Sequence, residues 1–273
     1  GTSTITNTLS LTSSGDITDS AGTTLSVTNA ATFSTAGNAI TLGDGTNADF
    51  GTLDFSGSVV NITENSSMQI AASEATGALT LTTSGNDITQ TGRIDANSTS
   101  SITAGAAAIT LDNASNDFTG AVSLSNSGTN NVEVRDINDI DLGTVAIGQN
   151  LITTAAGTIT DSGTITVAGT STFDNIGGTD AAITLDSAAN DFTGDVTFTT
   201  DTGSSVTVVD NSAFMIQSGL NVTNLTLTTT NDAVTQGGAI TVGTATIDAG
   251  TAAITLTSAN DFDTVITTGG VIQ

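Results

Sequence analysis

The sequence predicts an all-β chain that folds as a right-handed parallel β-helix (β-solenoid), a rod of about four repeats of roughly 72 residues. Three observations predict this class: the same short motifs recur in the same order, apolar residues alternate in brief bursts, and proline is absent. The handedness is taken from the fold class and not from these residues. We expect a single array over 1–273, with repeats at 9–78, 79–149, 150–224 and 225–273, the last incomplete.

Three motifs define the repeat. The first pairs Ile or Val with Thr and then Asp or Gln, at residues 17–19, 88–90, 159–161 and 234–236. The second is Ala-Ile-Thr-Leu, at 39–42, 108–111, 182–185 and 253–256. The third is Asn-Asp-Phe, at 116–118, 190–192 and 260–262, with a degenerate copy at 47–50. The uneven steps between copies indicate insertions at turns, which a solenoid tolerates well.

The strands are predicted from alternation of apolar and polar residues. Pairs such as Leu79/Leu81, Ile109/Leu111 and Val132/Val134 have the period of two that is typical of strands with one buried face. Their spacing also fits a sandwich or an antiparallel barrel. The absence of proline favours the solenoid, because each backbone N–H is then free to bond to a neighbouring coil. Coils of roughly 18 to 24 residues, stacked about 4.8 Å apart, give a rod roughly 50 to 70 Å long.

The predicted core is aliphatic, since aromatic residues make up only 3% of the chain. Within it, the recurring Phe118, Phe192 and Phe262 are expected to fill equivalent positions. Asn116, Asn190 and Asn260 are expected to act structurally, in a left-handed turn with hydrogen bonds along an asparagine ladder. The alternative is a repeated site for a sugar or an ion.

The charge balance excludes several classes of function. The formal net charge is −25 with only two basic residues, so binding of nucleic acid or of an anionic membrane surface is not expected. No run of 18 apolar residues is present, and membrane insertion is therefore not expected either. Cysteine and histidine are absent, which removes thiolate metal sites, and no cofactor is expected apart from calcium.

The calcium hypothesis concerns an acidic stretch. Asp136, Asp139 and Asp141 lie within six residues, and alternation in a strand places Asp139 and Asp141 on one outward face, where oxygen ligands can share a cation. The spacing matches neither an EF-hand nor a calcium-binding nonapeptide repeat. The alternative interpretation is a solvated acidic face.

A polysaccharide-cleaving enzyme is a distant alternative, because paired carboxylates can hydrolyse glycosides and β-helices can carry such sites. The chain has no His or Lys to act as a base, and no Trp or Tyr to stack against sugar rings. We therefore expect no enzymatic activity and no catalytic residues.

Residues 131–151, 157–175 and 181–198 resemble the β-strand repeats of giant bacterial exoproteins of the filamentous-haemagglutinin-like adhesin class. The resemblance implies a structural shaft segment, located outside the cell or on its surface, although the export domain of that class is not recognisable. Its expected partners are copies of itself or flanking repeats, stacked end to end, and surface glycans or proteins of host or neighbouring cells. The alternative is a subunit that stacks head to tail into an extracellular filament or sheath, assisted by calcium.

Overall fold

A computed structural model of the chain describes residues 2–20, 22–43, 48–175, 177, 180–217 and 219–273. Over these residues the chain is a parallel β-solenoid of about 13 turns without α-helix. It divides into two compact units, Gly1–Ile137 and Asn138–Gln273. The predicted parallel β-solenoid is confirmed, and its right-handed coiling stays a prediction.

The strands are short, as expected for coils broken by turns. The described part of the first unit contains β1 Thr2–Ile5, β2 Leu9–Ser13, β3 Ile17–Thr18, β4 Thr24–Thr35, β5 Ile40–Leu42, β6 Ala48–Gly57, β7 Val60–Glu64, β8 Met68–Ile70, β9 Ser73–Ala75, β10 Leu79–Thr83, β11 Ile88–Gln90, β12 Ile94–Ala96, β13 Ser100–Gly105, β14 Ile109–Leu111, β15 Asp117–Phe118, β16 Val122–Asn126 and β17 Val132–Asp136. The described part of the second unit contains β18 Ile140–Ile147, β19 Leu151–Ala155, β20 Ile159–Asp161, β21 Ile165–Val167, β22 Ser171–Asp174, β23 Ile183–Leu185, β24 Asp191–Phe192, β25 Val196–Thr199, β26 Ser205–Asp210, β27 Phe214–Ile216, β28 Asn221–Thr229, β29 Val234–Gln236, β30 Thr241–Asp248, β31 Ala253–Thr255, β32 Asp261–Thr268 and β33 Val271–Ile272.

Parallel pairing joins most of the described strands to an equivalent strand on the next coil. In the first unit, Leu79 of β10 lies opposite Val60 of β7 and Ser100 of β13, so the neighbouring coils are offset by 79 − 60 = 19 and 100 − 79 = 21 residues. In the second unit, Ile159 of β20 lies opposite Ile183 of β23, an offset of 183 − 159 = 24 residues. The coil length therefore changes along the chain while the register is kept, because the extra residues are placed in turns.

Alternation separates the core from the surface along each strand. In β10, Leu79, Leu81 and Thr83 are buried, whereas Thr80 and Thr82 face outward and are half-buried. Side chains that point inward from successive coils therefore stack into an aliphatic column, as the period of two predicts.

Phenylalanines contribute the largest fully buried side chains of this column. Seven of them are less than 2% exposed: Phe33, Phe50, Phe55, Phe118, Phe173, Phe192 and Phe214. In the second unit the ring of Phe192 lies edge-on to Phe173 and Phe214, with centroids 5.8 and 6.2 Å apart. These are favourable geometries for aromatic pairs.

Polar side chains close the corners where longer strands end. Thr83 takes the inward position at the end of β10, and its hydroxyl donates to the carbonyl of Asn86. At the end of β16, the Nδ2 of Asn126 donates to the carbonyl of Asn130 at 2.9 Å. Between Thr83 and Asn86 the chain turns through Gly85, whose φ of +95° disfavours other residues. The buried side chains of Thr83 and Asn126 are thus hydrogen-bonded to the turns that follow them.

The described part of the chain contains no helix long and apolar enough to cross a membrane.

Candidate functional site

The asparagine of the Asn-Asp-Phe motif joins two coils. Asn116 is fully buried, and its Oδ1 accepts a hydrogen bond from the backbone N–H of Ile94, 22 residues earlier, at 2.9 Å. Its Nδ2 donates to the carbonyl of Leu111 at 3.1 Å. In the next repeat, the Oδ1 of Asn190 accepts from the N–H of Ile165 at 2.8 Å. The side chain therefore satisfies a backbone donor that the neighbouring coil would otherwise leave buried without a partner.

The first and third motifs of the repeat bind each other through these asparagines. The amides of Gln90 and Asn116 form two hydrogen bonds, of 2.8 and 2.9 Å. Gln236 and Asn260 form the same reciprocal pair with the same distances. The two motifs, separate in sequence, are one contact in space.

The third copy replaces the glutamine by aspartate. Asp161 stands at the position of Gln90, and its Oδ2 accepts from the Nδ2 of Asn190 at 2.7 Å. The same carboxylate accepts from the backbone N–H groups of Asp186 and Ser187. A carboxylate can accept these bonds but cannot donate one back, so the pairing here runs in one direction.

The expected asparagine ladder is not what the structure contains. Among the described non-glycine residues, positive φ occurs at Asp180 and Asn231, and Asn116, Asn190 and Asn260 keep negative φ. Each of the three bonds to a Gln or Asp side chain on a neighbouring coil instead of to another asparagine. Asn47, in the degenerate first copy of the motif, lies outside the described residues.

The phenylalanine of the motif is held by a carboxylate from the following coil. The backbone N–H of Phe118 donates to the Oδ2 of Asp136 at 2.7 Å, and that of Phe192 donates to the Oδ1 of Asp210 at 2.8 Å.

In the first repeat the N–H of Phe50 donates to the Oε2 of Glu64 at 3.2 Å. We call Glu64, Asp136 and Asp210 the bridging carboxylates. All three are at most 1% exposed.

Sequence reasoning missed the bridging carboxylates, although the alternation contains the signal. Asp210 follows Val206 and Val208 in the inward phase of β26, just as Asp136 follows Val132 and Val134 in β17. An acidic residue in the buried phase of a strand marks a carboxylate that the fold encloses.

Phe262 lies in the inward register, opposite buried Val242 of β30, but it is less buried than the two other phenylalanines of the motif. Phe118 and Phe192 are fully buried, whereas Phe262 is only half-buried. Among the described residues, its strand β32 pairs with β30 on one side and has no strand on the other. The ring is therefore covered from one direction only.

The three carboxylates of the acidic stretch differ in their burial. Asp136 is buried in the first unit and bonded to Phe118, so the outward position that a cation ligand needs is not available to it. In the second unit, Asp139 is exposed and Asp141 is half-buried, on either side of buried Ile140, as alternation predicts. The Oδ1 of Asp139 accepts from the backbone N–H of Thr158 at 2.6 Å. This carboxylate thus has a structural role at a turn.

Groups of three or more acidic side chains placed to hold a metal ion are absent from the described residues. Asp136 and Asp139 each accept a hydrogen bond from a backbone N–H group, and calcium binding by Asp136, Asp139 and Asp141 stays a prediction.

A second acidic group lies on the outer surface of the first unit. Asp95 stands in register with Glu74 on one neighbouring coil and with Asp117 on the other. Like charges at this spacing repel, and the guanidinium of Arg93 offsets part of that repulsion through an ion pair of 2.5 Å with Asp95. Glu74 and Arg93 also line a shallow depression together with Asp54, whose pKa burial raises.

The expectation that the chain is not an enzyme stays a prediction.

Burial controls the chemistry of two bridging carboxylates. It raises the pKa of Glu64 to about 8, and the charge of Asp49 adds to this rise, while the hydrogen bonds from the N–H of Phe50 and from Ser66 oppose it. Burial likewise raises the pKa of Asp210 to about 6, against the hydrogen bonds from Phe192 and Ser212. Near neutral pH these groups therefore bind protons much more tightly than exposed carboxyls do.

A family model for repeats of unknown function (DUF5649) matches the chain in four segments, residues 1–59, 56–125, 129–199 and 203–269. Neither a curated protein nor a solved structure matches it. The four segments confirm the number of repeats predicted from the motifs. Their boundaries differ from those of the predicted repeats, 9–78, 79–149, 150–224 and 225–273.

Proposed function

This chain belongs to the DUF5649 repeat family, and we propose that it serves as a structural shaft segment of a secreted or cell-surface bacterial adhesin of the filamentous-haemagglutinin-like kind. The observation that carries the proposal is that side chains of the recurring motifs bind one coil to another. Asn116 and Gln90 bind each other, and Phe118 is bound by Asp136, so the recurrent side chains are engaged between coils. A repeat whose hallmark residues join coil to coil is suited to extension and to bearing load.

The composition supports the same proposal. A chain with a net charge of −25 and two basic residues is repelled by nucleic acid and by anionic membranes. Most of its nine phenylalanines are buried in the core, and it has no Trp or Tyr that could stack against a sugar ring. Recognition of host or neighbouring cells is then the task of another part of the adhesin, which the shaft holds at a distance.

A second candidate function is a subunit that polymerises head to tail. It is favoured by four apolar side chains of β32 and β33 that are about half exposed: Val265, Ile266, Val271 and Ile272. Their strands have a described partner on one side only. A coil from a second copy, added in parallel register, would cover these side chains and complete the backbone hydrogen bonds.

Electron microscopy of the purified chain and of a tandem fusion of two copies tests the shaft proposal. For a shaft segment we expect unbranched particles of constant width at all protein concentrations, with the fusion about twice as long as the single chain. Compact particles, or a fusion no longer than the single chain, would rule the shaft out.

Ile266→Asp, with exposed Thr264→Asp on the same strand as its control, separates the second candidate from the first. Filaments that grow with concentration, and that Ile266→Asp abolishes more completely than Thr264→Asp, indicate head-to-tail assembly. Particles of fixed length for all three chains favour the shaft.

A further inference from the structure

The bridging carboxylates occupy an unusual chemical environment. Asp210 is 0% exposed, at the inward end of β26. Its hydrogen-bond donors are the backbone N–H of Phe192, at 2.8 Å, and both the N–H and the hydroxyl of Ser212, at 3.2 and 3.1 Å. The residue opposite it on the next coil is Thr229. None of these partners carries a positive charge, so the ionised carboxyl is solvated by neutral dipoles alone.

The charged group that acts on the carboxyl of Asp210 is another acid. Asp191, the middle residue of the Asn-Asp-Phe motif, acts on Asp210 through its negative charge. Asp49, which also directly precedes a phenylalanine, acts in the same sense on Glu64. The motif thus brings a second carboxylate towards a buried first one, an arrangement that favours the protonated form.

Glu64 repeats this arrangement in the first unit. It is 0% exposed, and its Oε2 accepts from the N–H of Phe50 and from the hydroxyl of Ser66, at 3.2 and 3.1 Å. Its Oε1 is buried and has no hydrogen-bond partner among the described residues. An unpartnered buried oxygen is costly on a carboxylate, and that cost falls when the group is neutral.

We propose that Glu64 and Asp210 are proton-binding sites built into the repeat, which fasten neighbouring coils more tightly in mildly acidic than in alkaline medium. This property goes beyond a shaft function and holds for any role of the solenoid. Asp136 has the same backbone partner, the N–H of Phe118, and marks the equivalent position of the intervening repeat.

The direction of the effect follows from linkage. The pKa of Asp210 rises from 3.8 to about 6 on folding, so the folded chain binds this proton roughly 100-fold more tightly than the unfolded chain. Its stabilising contribution is complete below pH 3.8, declines as the pH rises and is lost above about pH 6. For Glu64 the corresponding window runs from 4.5 to about 8. Together the two groups predict that stability falls between pH 4 and pH 8.

Carboxyl NMR titration of the full ¹³C-labelled chain, assigned through the backbone, tests the proposal directly. We expect the Asp210 resonance to titrate near pH 6 and that of Glu64 near pH 8. Titration of both at or below pH 4.5 overturns the proposal, and this measurement needs no variant to fold.

Urea unfolding at pH 4 and pH 8 provides the second test. Asp210→Asn keeps an oxygen for the N–H of Phe192 and removes the titrating group. Between the two pH values, its unfolding constant should therefore change up to roughly 100-fold less than that of the unsubstituted chain. Its control is Asp186→Asn, which removes one charge from an exposed position of the same unit. Glu64→Gln and exposed Glu74→Gln form the matched pair in the first unit.

Since the two members of a pair change the net charge equally, general repulsion cancels in the comparison. The same pH dependence in Asp210→Asn and Asp186→Asn, and again in Glu64→Gln and Glu74→Gln, would overturn the proposal.

Discussion

The junctions at Asn116 and Asn190 bind equivalent backbone donors and differ in the side chain that binds the asparagine. At the first, Gln90 donates to the Oδ1 of Asn116 and accepts from its Nδ2. At the second, Asp161 accepts from the Nδ2 of Asn190 and from two backbone N–H groups. Both asparagines still accept from the N–H of an isoleucine on the neighbouring coil.

The difference shows which part of the contact the fold requires. The constant element is the asparagine oxygen on a buried backbone N–H, since it occurs with either partner. The partner has only to accept a hydrogen bond from the asparagine, which a carboxamide and a carboxylate both do. Exchange of Gln for Asp in the first motif is therefore compatible with one geometry.

The largest expected effect concerns the phenylalanines of the two junctions. Phe192→Ala removes a fully buried ring and should destabilise the chain by about 3 to 5 kcal/mol. Phe118→Ala should fall at the lower end of this range, because Phe192 has ring contacts with Phe173 and Phe214, and Phe118 has none among the described residues. Urea unfolding followed by far-ultraviolet circular dichroism gives both values.

Half-buried Phe262 is the control for that pair. Phe262→Ala should be the mildest of the three substitutions, because the folded chain buries less of the apolar surface of this ring. If Phe262→Ala lowered the free energy of unfolding as much as Phe192→Ala does, burial would not explain the order of the three effects.

The asparagines should follow at intermediate size. Asn116→Ala leaves the N–H of Ile94 buried without a partner and removes both hydrogen bonds between Gln90 and Asn116. The free energy of unfolding should therefore fall by about 3 kcal/mol. Asn190→Ala should cost about 2 kcal/mol, because Asp161 keeps its two backbone donors.

Hydrogen exchange of the Ile94 and Ile165 amides checks this prediction locally, and exposed Asn97→Ala is the control for surface asparagines. Unchanged protection of both amides in the two variants would contradict the role assigned to the asparagine oxygen.

Much of the fold could be predicted from the sequence because its signals are local. Ile109 and Leu111, or Val132 and Val134, alternate within a few residues, and the structure places both pairs on strands with that burial pattern. The repetition of motifs predicted the stacking of coils. The contact of Gln90 with Asn116 could not be predicted in the same way, because it spans 26 residues and coil lengths vary.

The bridging carboxylates were missed for a different reason. Asp210 lies in the inward phase of β26, but a charged side chain is expected at the surface, since burial of an isolated charge is costly. That expectation assumes an ionised group. Asp136 was considered as a calcium ligand or as part of a solvated acidic face, both of which assume an ionised group near water, and the structure places it inside.

The smallest expected effect comes from exchanging the partners of the two asparagines. Gln90→Asp removes the Nε2 that donates to Asn116 and to the carbonyl of Gly92, at 2.8 and 2.6 Å, and should cost about 1 kcal/mol. Asp161→Gln supplies an oxygen for Asn190 and adds an amide donor, which the first junction shows the geometry can use. We expect it to change stability by less than about 0.5 kcal/mol. Urea unfolding at fixed pH measures both, and equal losses would show that each partner is fitted to its own coil and is not interchangeable.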